Sequence, residues 1–127
     1  MNRRGFWVWV VLLGLTAMAS ARAQTPPASV QVEIDYLLGR ISTSGCEFNR
    51  NSTWYDGQRA VAHIRYKYAE LTANSLVTTT DDFIEMAASR SSMTGNIYLI
   101  RCSDSILVTS GQWLRDQLAA YRLATSS

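Results

Sequence analysis

The chain has 127 residues, with 12 lysine and arginine residues against 10 aspartate and glutamate residues and a formal net charge of +2. This length fits one domain. Hydrophobic residues make up 47% of the chain, and that content, together with the small net charge, excludes an intrinsically disordered protein. The weak charge balance also argues against a nucleic-acid-binding protein, because such proteins carry a concentrated positive charge.

Residues 1–23 have the three parts of a secretory signal peptide. Arg3 and Arg4 form a positive beginning, an uncharged and mostly apolar stretch follows, and Ala21 and Ala23 supply small residues at the cleavage site. The alternative is an uncleaved membrane anchor. A spanning helix needs about 20 apolar residues, and the apolar stretch here is shorter than that. We therefore expect cleavage after Ala23 or Ala21, a periplasmic or secreted protein, and no membrane insertion afterwards. The predicted organisation is a signal peptide over 1–23, a loose leader over 24–28, a single domain over 29–124 and a tail over 125–127.

The predicted export affects whether the two cysteines are expected to form a disulfide. In an oxidising compartment an even number of cysteines favours a disulfide, here between Cys46 and Cys102. A redox-active thiol pair is the alternative, but the two residues lack the Cys-x-x-Cys spacing that tunes a thiol pKa. The sequence therefore predicts a structural bridge.

The first part of the mature chain has a helical and then a strand pattern. Ser29 is a candidate cap for a helix over 29–43, and Gly45 after it is suited to the left-handed conformation. Residues 46–50 alternate as a strand does, and 54–55 are a candidate return strand after a turn. The apolar positions at helical spacing are Val30, Ile34, Leu37, Leu38 and Ile41.

The second part of the mature chain is predicted to contain two helices, a pair of strands and a last helix. A helix is predicted over 57–72, and a third helix begins after a cap at Thr79 or Thr80. A polar loop at 91–96 leads into a strong strand over 97–102, with a brief partner strand over 106–108. Thr109 and Gln112 fit a capping box at the start of the last helix. The predicted fold is a small α+β domain of order α-β-α-α-β-α, with about four helices packed on a short antiparallel sheet.

The predicted bridge and the predicted strands constrain each other. If the two cysteines face each other on antiparallel strands, then Phe48 opposes Ile100. Two positions further, Arg50 opposes Tyr98, whose ring would give the guanidinium an aromatic face to lie against.

His63 is the one histidine and the only candidate for proton transfer near neutral pH. A catalytic interpretation places Ser91 or Ser92 within its reach, with Asp82 or Glu85 orienting the ring. The alternative is a half-buried histidine at a helix edge, hydrogen-bonded to a carbonyl or a carboxylate. The sequence has no phosphate-binding loop, dinucleotide fingerprint, His-Glu-x-x-His pattern or Gly-x-Ser-x-Gly elbow.

Two further groups of charged residues could each form a binding site or have an ordinary structural role. Basic residues on one helix and two strands form a candidate patch for an anionic ligand, or else a set of exposed ion pairs. Acidic residues near the start of the third helix could supply oxygens to a cation, but they also suit the positive end of a helix. We expect no metal and no cofactor. The basic residues are Arg50, Arg65, Lys67 and Arg101; the acidic ones are Asp81, Asp82 and Glu85.

Several segments in order along residues 33–122 resemble one protein family. They include the run Gly45–Asn51, the run Ala62–Lys67, and the pairs Thr94–Gly95 and Arg101–Cys102. Together they are similar to the YfeK-like family of small exported bacterial proteins, a domain of unknown function. The resemblance implies a single exported, periplasmic domain with no assigned reaction. Its polar and glycine matches are Arg50, Asn51, His63, Arg65, Lys67, Ser91, Thr94 and Gly95.

These observations favour a non-enzymatic binding or accessory domain of the bacterial envelope. The candidate ligand is a small anion, and the partner could instead be an envelope protein. One alternative is a small hydrolase using His63 with Ser91 or Ser92, and another is an inhibitor or interaction partner of an envelope enzyme. The same polar residues could also be the internal hydrogen-bond network of the fold. The candidate binding residues are Arg50, His63, Arg65, Lys67 and Thr94.

Overall fold

The structure is a computed structural model that describes residues 24–103 and 106–126, together with Leu13 and Gly14. The predicted signal peptide over 1–23 therefore lies outside the described residues, apart from that pair. None of the helices in the described ranges combines the length and the apolar character that a membrane crossing requires.

The described part of the chain contains four helices and a four-stranded antiparallel sheet, which confirms the predicted α+β class and the order of elements. The predicted element bounds agree with the observed ones to within two residues at most ends. The elements are α1 (Ala28–Thr43), β1 (Glu47–Arg50), β2 (Thr53–Tyr55), α2 (Gly57–Ala73), α3 (Thr80–Ala87), β3 (Leu99–Arg101), β4 (Leu107–Thr109) and α4 (Ser110–Thr125).

The sheet has the strand order β2-β1-β3-β4. Phe48 pairs with Ile100, as the sequence predicted. The disulfide between Cys46 and Cys102 is present, with the two Cα atoms 4.2 Å apart. It continues the register of β1 and β3, so the bridge joins the two central strands.

The core lies between the helices and one face of the sheet. Residues of α1 at positions 34, 37, 38 and 41 are buried, as their helical spacing predicted. They pack with one side of α3 and with alternate residues of the strands, because successive strand residues point to opposite faces. The core side chains with no exposed surface include Leu37, Ile41, Phe83, Ile84, Ile100 and Leu114.

The predicted cap of α1 is wrong. The helix begins at Ala28 with Pro27 as its N-cap, and the Pro27 carbonyl accepts hydrogen bonds from the amides of Val30 and Gln31. Ser29 thus lies within the first turn. The fixed φ of proline allows the helix to start here without a side-chain cap.

The caps of α3 and α4 use threonine hydroxyls. Thr79 caps α3 in a full capping box with Asp82. Thr109 accepts from the amide of Gln112 at 3.3 Å, as predicted, but the Gln112 side chain donates to Asp116 instead of returning to the cap. The predicted capping box of α4 is therefore half formed.

Two glycines have steric reasons for their positions. Gly45 has φ +69°, the left-handed conformation predicted for the residue that ends the first helix segment. At Gly57 a side-chain carbon would collide with the backbone carbonyl of Ile41. Only glycine at position 57 therefore allows the first turn of α2 to approach the end of α1 this closely.

Candidate functional site

The hairpin between β1 and β2 presents Arg50. Two turn residues, Asn51 and Ser52, have φ values of +50° and +68°, which is the pattern of a tight two-residue hairpin turn. Because side chains alternate along a strand, Arg50 shares the helix-facing side of β1 with the buried Phe48. Its guanidinium therefore points towards α2.

Helix α2 contributes His63 and Lys67, which lie four residues apart and so on one face. Nη1 of Arg50 lies 3.1 Å from the imidazole nitrogens of His63. The Nε2 atom of His63 is 3.2 Å from the Tyr98 hydroxyl, and Lys67 Nζ donates to that hydroxyl at 3.2 Å. Lys67 Nζ also donates to the Arg90 carbonyl at 2.7 Å. Arg50 and His63 thus join the hairpin to α2, and His63 and Lys67 join α2 to Tyr98 in the same hydrogen-bond network.

Burial and neighbouring positive charges affect the protonation of His63 and Lys67 in this network. Burial lowers the pKa of His63, and the positive charges of Arg50 and Lys67 lower it further. Burial and Arg50 lower the pKa of Lys67 to about 8. Since a guanidinium can only donate, a neutral imidazole is the form that can accept from Arg50.

A pocket of about 100 Å³ lies between α2 and the sheet beside this network. Its apolar walls come from Phe48, Ala60 and Ile64, which are 5%, 8% and 3% exposed. The polar residues that line it are Asn49, Arg50, Tyr55, Arg59, His63, Tyr98 and Ser110. The pocket thus combines an apolar interior with two guanidinium groups.

The aromatic partner of Arg50 is Tyr55, not Tyr98 as the sequence predicted. The Arg50 guanidinium lies 5.3 Å from the centroid of the Tyr55 ring. The Tyr98 ring is instead occupied by Lys67, whose Nζ lies 5.0 Å from the centroid. Tyr98 is buried and holds the two α2 side chains, so its ring is not available to Arg50.

Thr94 belongs to a neighbouring cluster that fixes the 91–96 loop to the hairpin. Its hydroxyl donates to Oδ1 of Asn51 at 2.8 Å, and the Asn96 amide donates to the same oxygen at 3.3 Å. The Asn51 amide donates to the Ser91 hydroxyl at 3.4 Å. These residues hold the loop in place, and Thr94 does not line the pocket.

The serines predicted for a hydrolase are not joined to His63. Within the described ranges, the hydrogen-bond partners of His63 are Arg50 and Tyr98. Ser91 is buried and engaged by the loop cluster, while Ser92 is exposed. The acids predicted to orient the ring are also engaged elsewhere: Asp82 caps α3, and Glu85 pairs with Arg90 and Arg115.

The other predicted basic residues lie apart from the pocket. Arg65 is exposed and does not line it. Arg101 pairs with Glu47 at 3.2 Å and lies 4.2 Å from the centroid of the Trp54 ring. Arg101 therefore belongs to the sheet face opposite the helices, so the structure does not bring the four predicted basic residues together.

The lining residues that the sequence interpretation missed include Arg59 and Ser110. Arg59 precedes His63 by four positions, so helical spacing alone places both on one face of α2. Ser110 begins α4, and its buried hydroxyl has no hydrogen-bond partner in the part of the chain that the structure describes. No sequence pattern connects Ser110 to α2, because only the β3–β4 pairing brings it beside Tyr98.

Asp82, one of the acidic residues considered as a cation ligand, is engaged at the start of its own helix. Asp82 accepts hydrogen bonds from Thr78 and Thr79, and the α3 N-terminus accounts for its position. Among the residues described, no cluster of three or more histidine, cysteine, aspartate or glutamate side chains is arranged to hold a metal ion.

Comparison with known proteins gives a family and no assigned activity. A family model of unknown function, DUF5329, matches residues 28–122. The match covers all four strands, the helices α1 to α3, α4 as far as residue 122, and the pocket, so the chain belongs to this family. No curated protein and no solved structure matches the chain. The narrower likeness to the YfeK-like proteins stays a prediction.

Proposed function

We propose that this protein is an exported, non-enzymatic domain that binds a small anion in the pocket between α2 and the sheet. One observation carries the proposal. Arg50 and Arg59 both line the pocket, and in the described ranges neither is paired with a carboxylate. An anion entering the pocket would supply the missing counter-charge.

The surroundings of Arg50 favour such a role. Its guanidinium is held by His63 and lies against Tyr55, so little side-chain freedom remains to be lost on binding. Half-buried charges attract an anion more strongly than fully solvated ones, because the local dielectric constant is lower. The planar donors of an arginine match a carboxylate or a phosphate in two-point contact.

A binding role is favoured over hydrolysis. The base of the proposed hydrolase, His63, accepts from Arg50 and contacts a tyrosine rather than a serine. Its lowered pKa is consistent with a neutral acceptor that orients Arg50. We therefore assign His63 a positioning role.

The proposed location outside the cytoplasm is supported by two features. The residue pattern of positions 1–23 is that of a cleaved leader. The described domain contains a disulfide, a bond that persists in oxidising compartments and is rare in the cytosol. Intact mass measurement of the protein from cell fractions tests this: we expect a chain without residues 1–23 and without free thiols in the periplasmic or secreted fraction. A full-length, reduced chain in the cytosol would contradict it.

Anion binding is tested by calorimetric titration of the oxidised protein with acetate and with inorganic phosphate. We expect Arg59→Gln to weaken binding about 10- to 100-fold, since a charge-assisted hydrogen bond contributes about 1.5–3 kcal/mol. The matched control is Arg65→Gln, which changes an exposed arginine on the same helix outside the pocket and should bind as the wild type does. Absence of binding to both anions, or equal weakening in both variants, would overturn the proposal.

A further inference from the structure

The pocket contains a feature that a simple inorganic anion leaves unexplained. Ser110 is 1% exposed and lines the pocket, yet its hydroxyl has no hydrogen-bond partner in the described part of the chain. A buried hydroxyl without a partner is costly, and such groups are uncommon in folded proteins. Ser110 therefore indicates that a bound molecule supplies the missing partner.

Ser110 lies at the opposite end of the pocket from the arginines. Its amide donates to the Tyr98 carbonyl at 2.9 Å, which places it next to Tyr98 on the β4 side. Arg50 lies on the other side of Tyr98, at the end of β1. With strands about 4.8 Å apart, Arg50 and Ser110 are separated by two strand spacings, or about 10 Å between their backbones.

The space between these two ends is apolar and short. Its walls are Phe48, Ala60 and Ile64. A cavity of about 150 Å³ accommodates benzene, with its six carbon atoms. By proportion, the 100 Å³ here holds roughly four non-hydrogen atoms.

We infer that the ligand is a short-chain organic carboxylate that carries a hydrogen-bonding oxygen at the far end of its chain. The inference rests on the proposed anion site. The carboxylate pairs with Arg50 and Arg59 at the mouth, the carbon chain lies against the apolar walls, and the distal oxygen bonds the Ser110 hydroxyl. An inorganic anion would satisfy only the first of these three contacts.

The experiment is a competition series on the oxidised protein with acetate, butyrate, 4-hydroxybutyrate and inorganic phosphate, measured by calorimetry. Burial of one methylene is worth about a fourfold change in affinity. We therefore expect butyrate to bind about tenfold or more tightly than acetate. We expect 4-hydroxybutyrate to bind about three- to tenfold more tightly than butyrate, because it satisfies a hydroxyl that is already buried.

Ser110→Ala is the decisive variant. It should abolish the preference for 4-hydroxybutyrate over butyrate. Its melting temperature should be equal to or above that of the wild type, because the substitution removes an unsatisfied polar group and Thr109 still caps α4. This second measurement separates loss of a contact from loss of the fold.

The outcomes distinguish failure of the carboxylate inference from failure of the proposed anion site on which it depends. If phosphate and acetate bind in an Arg59-dependent way but chain length and the distal hydroxyl have no effect, the inference is overturned and the anion site stands. If none of the four anions binds, both are overturned. A hydroxyl preference that persists in Ser110→Ala also contradicts the inference.

Discussion

Lys67 offers a sharp test of the electrostatics of the network. It is the only lysine in the chain, and it is 6% exposed, with Nζ bonded to the Tyr98 hydroxyl and the Arg90 carbonyl. Burial, assisted by Arg50, lowers its pKa from 10.5 to about 8. The perturbation is Lys67→Met, which keeps an unbranched side chain of similar length and removes the titrating group.

The sign of the expected effect follows from proton binding. Between about pH 8 and pH 10.5 the unfolded chain keeps the Lys67 proton while the folded chain releases it. The unfolded state then binds more protons, so the free energy of unfolding of the wild type rises with pH through this window. Integration from pH 7 to pH 9.5, at about 1.4 kcal/mol per unit, gives a gain of about 2 kcal/mol. Lys67→Met should lack this gain.

The assay is urea unfolding followed by tryptophan fluorescence, with both proteins measured at each pH. Because Lys67 also lowers the pKa of His63, the two proteins are compared above pH 7, where the difference between them reports mainly on Lys67. Burial raises the pKa of Tyr98 and lowers that of His63, so both groups are shifted away from the range between pH 7 and pH 9.5. Lys67 can also be titrated directly, because isotope-labelled lysine gives one Cε resonance. A difference in unfolding free energy that stays flat from pH 7 to pH 9.5, or a Cε titration midpoint near 10.5, would refute the reasoning.

The remaining predictions concern the disulfide and two glycines. Replacing both Cys46 and Cys102 by serine should lower the free energy of unfolding by about 4 kcal/mol on a loop-closure basis, because the bridge spans 56 positions; the check is urea unfolding, and a loss below 1 kcal/mol would contradict it. Gly57→Ala should destabilise the protein by about 1–3 kcal/mol, since its new side chain meets backbone. Gly39→Ala, at a helical position with nothing within 4 Å, should stabilise it by about 0.5–1 kcal/mol; melting curves in which the two glycine variants shift in the same direction would exclude this explanation.

Much of the fold could be predicted from local patterns. The apolar spacing of α1 predicted its buried side because helical periodicity alone fixes which residues share a face. The pairing of Phe48 with Ile100 followed from the disulfide, since one fixed cross-strand pair sets the whole register. The cap of α1 was missed because Ser29 and Pro27 are both residue types that occur at helix starts. In the structure the amides of Val30 and Gln31 donate to the Pro27 carbonyl, so the helix begins after Pro27.

The site was predictable only in part. Arg50, His63 and Lys67 were expected together and are joined by hydrogen bonds. Arg65 lies two residues from His63 on the helix, which turns its side chain about 200° away, and it is exposed. Helical spacing alone gives that separation, so the sequence pattern of α2 already sets Arg65 apart from His63 and Lys67.

The residue pattern by itself determined the class of the fold, the bridge and the central strand pairing, because each depends on periodicity or on one covalent link. Tertiary structure decided which ring lies against Arg50, which serine faces the pocket, and which charges remain without a counter-charge. These depend on contacts between α2, β1 and the start of α4, elements distant along the chain. Packing brings these elements together, and the spacing of residues along the sequence does not predict their contacts.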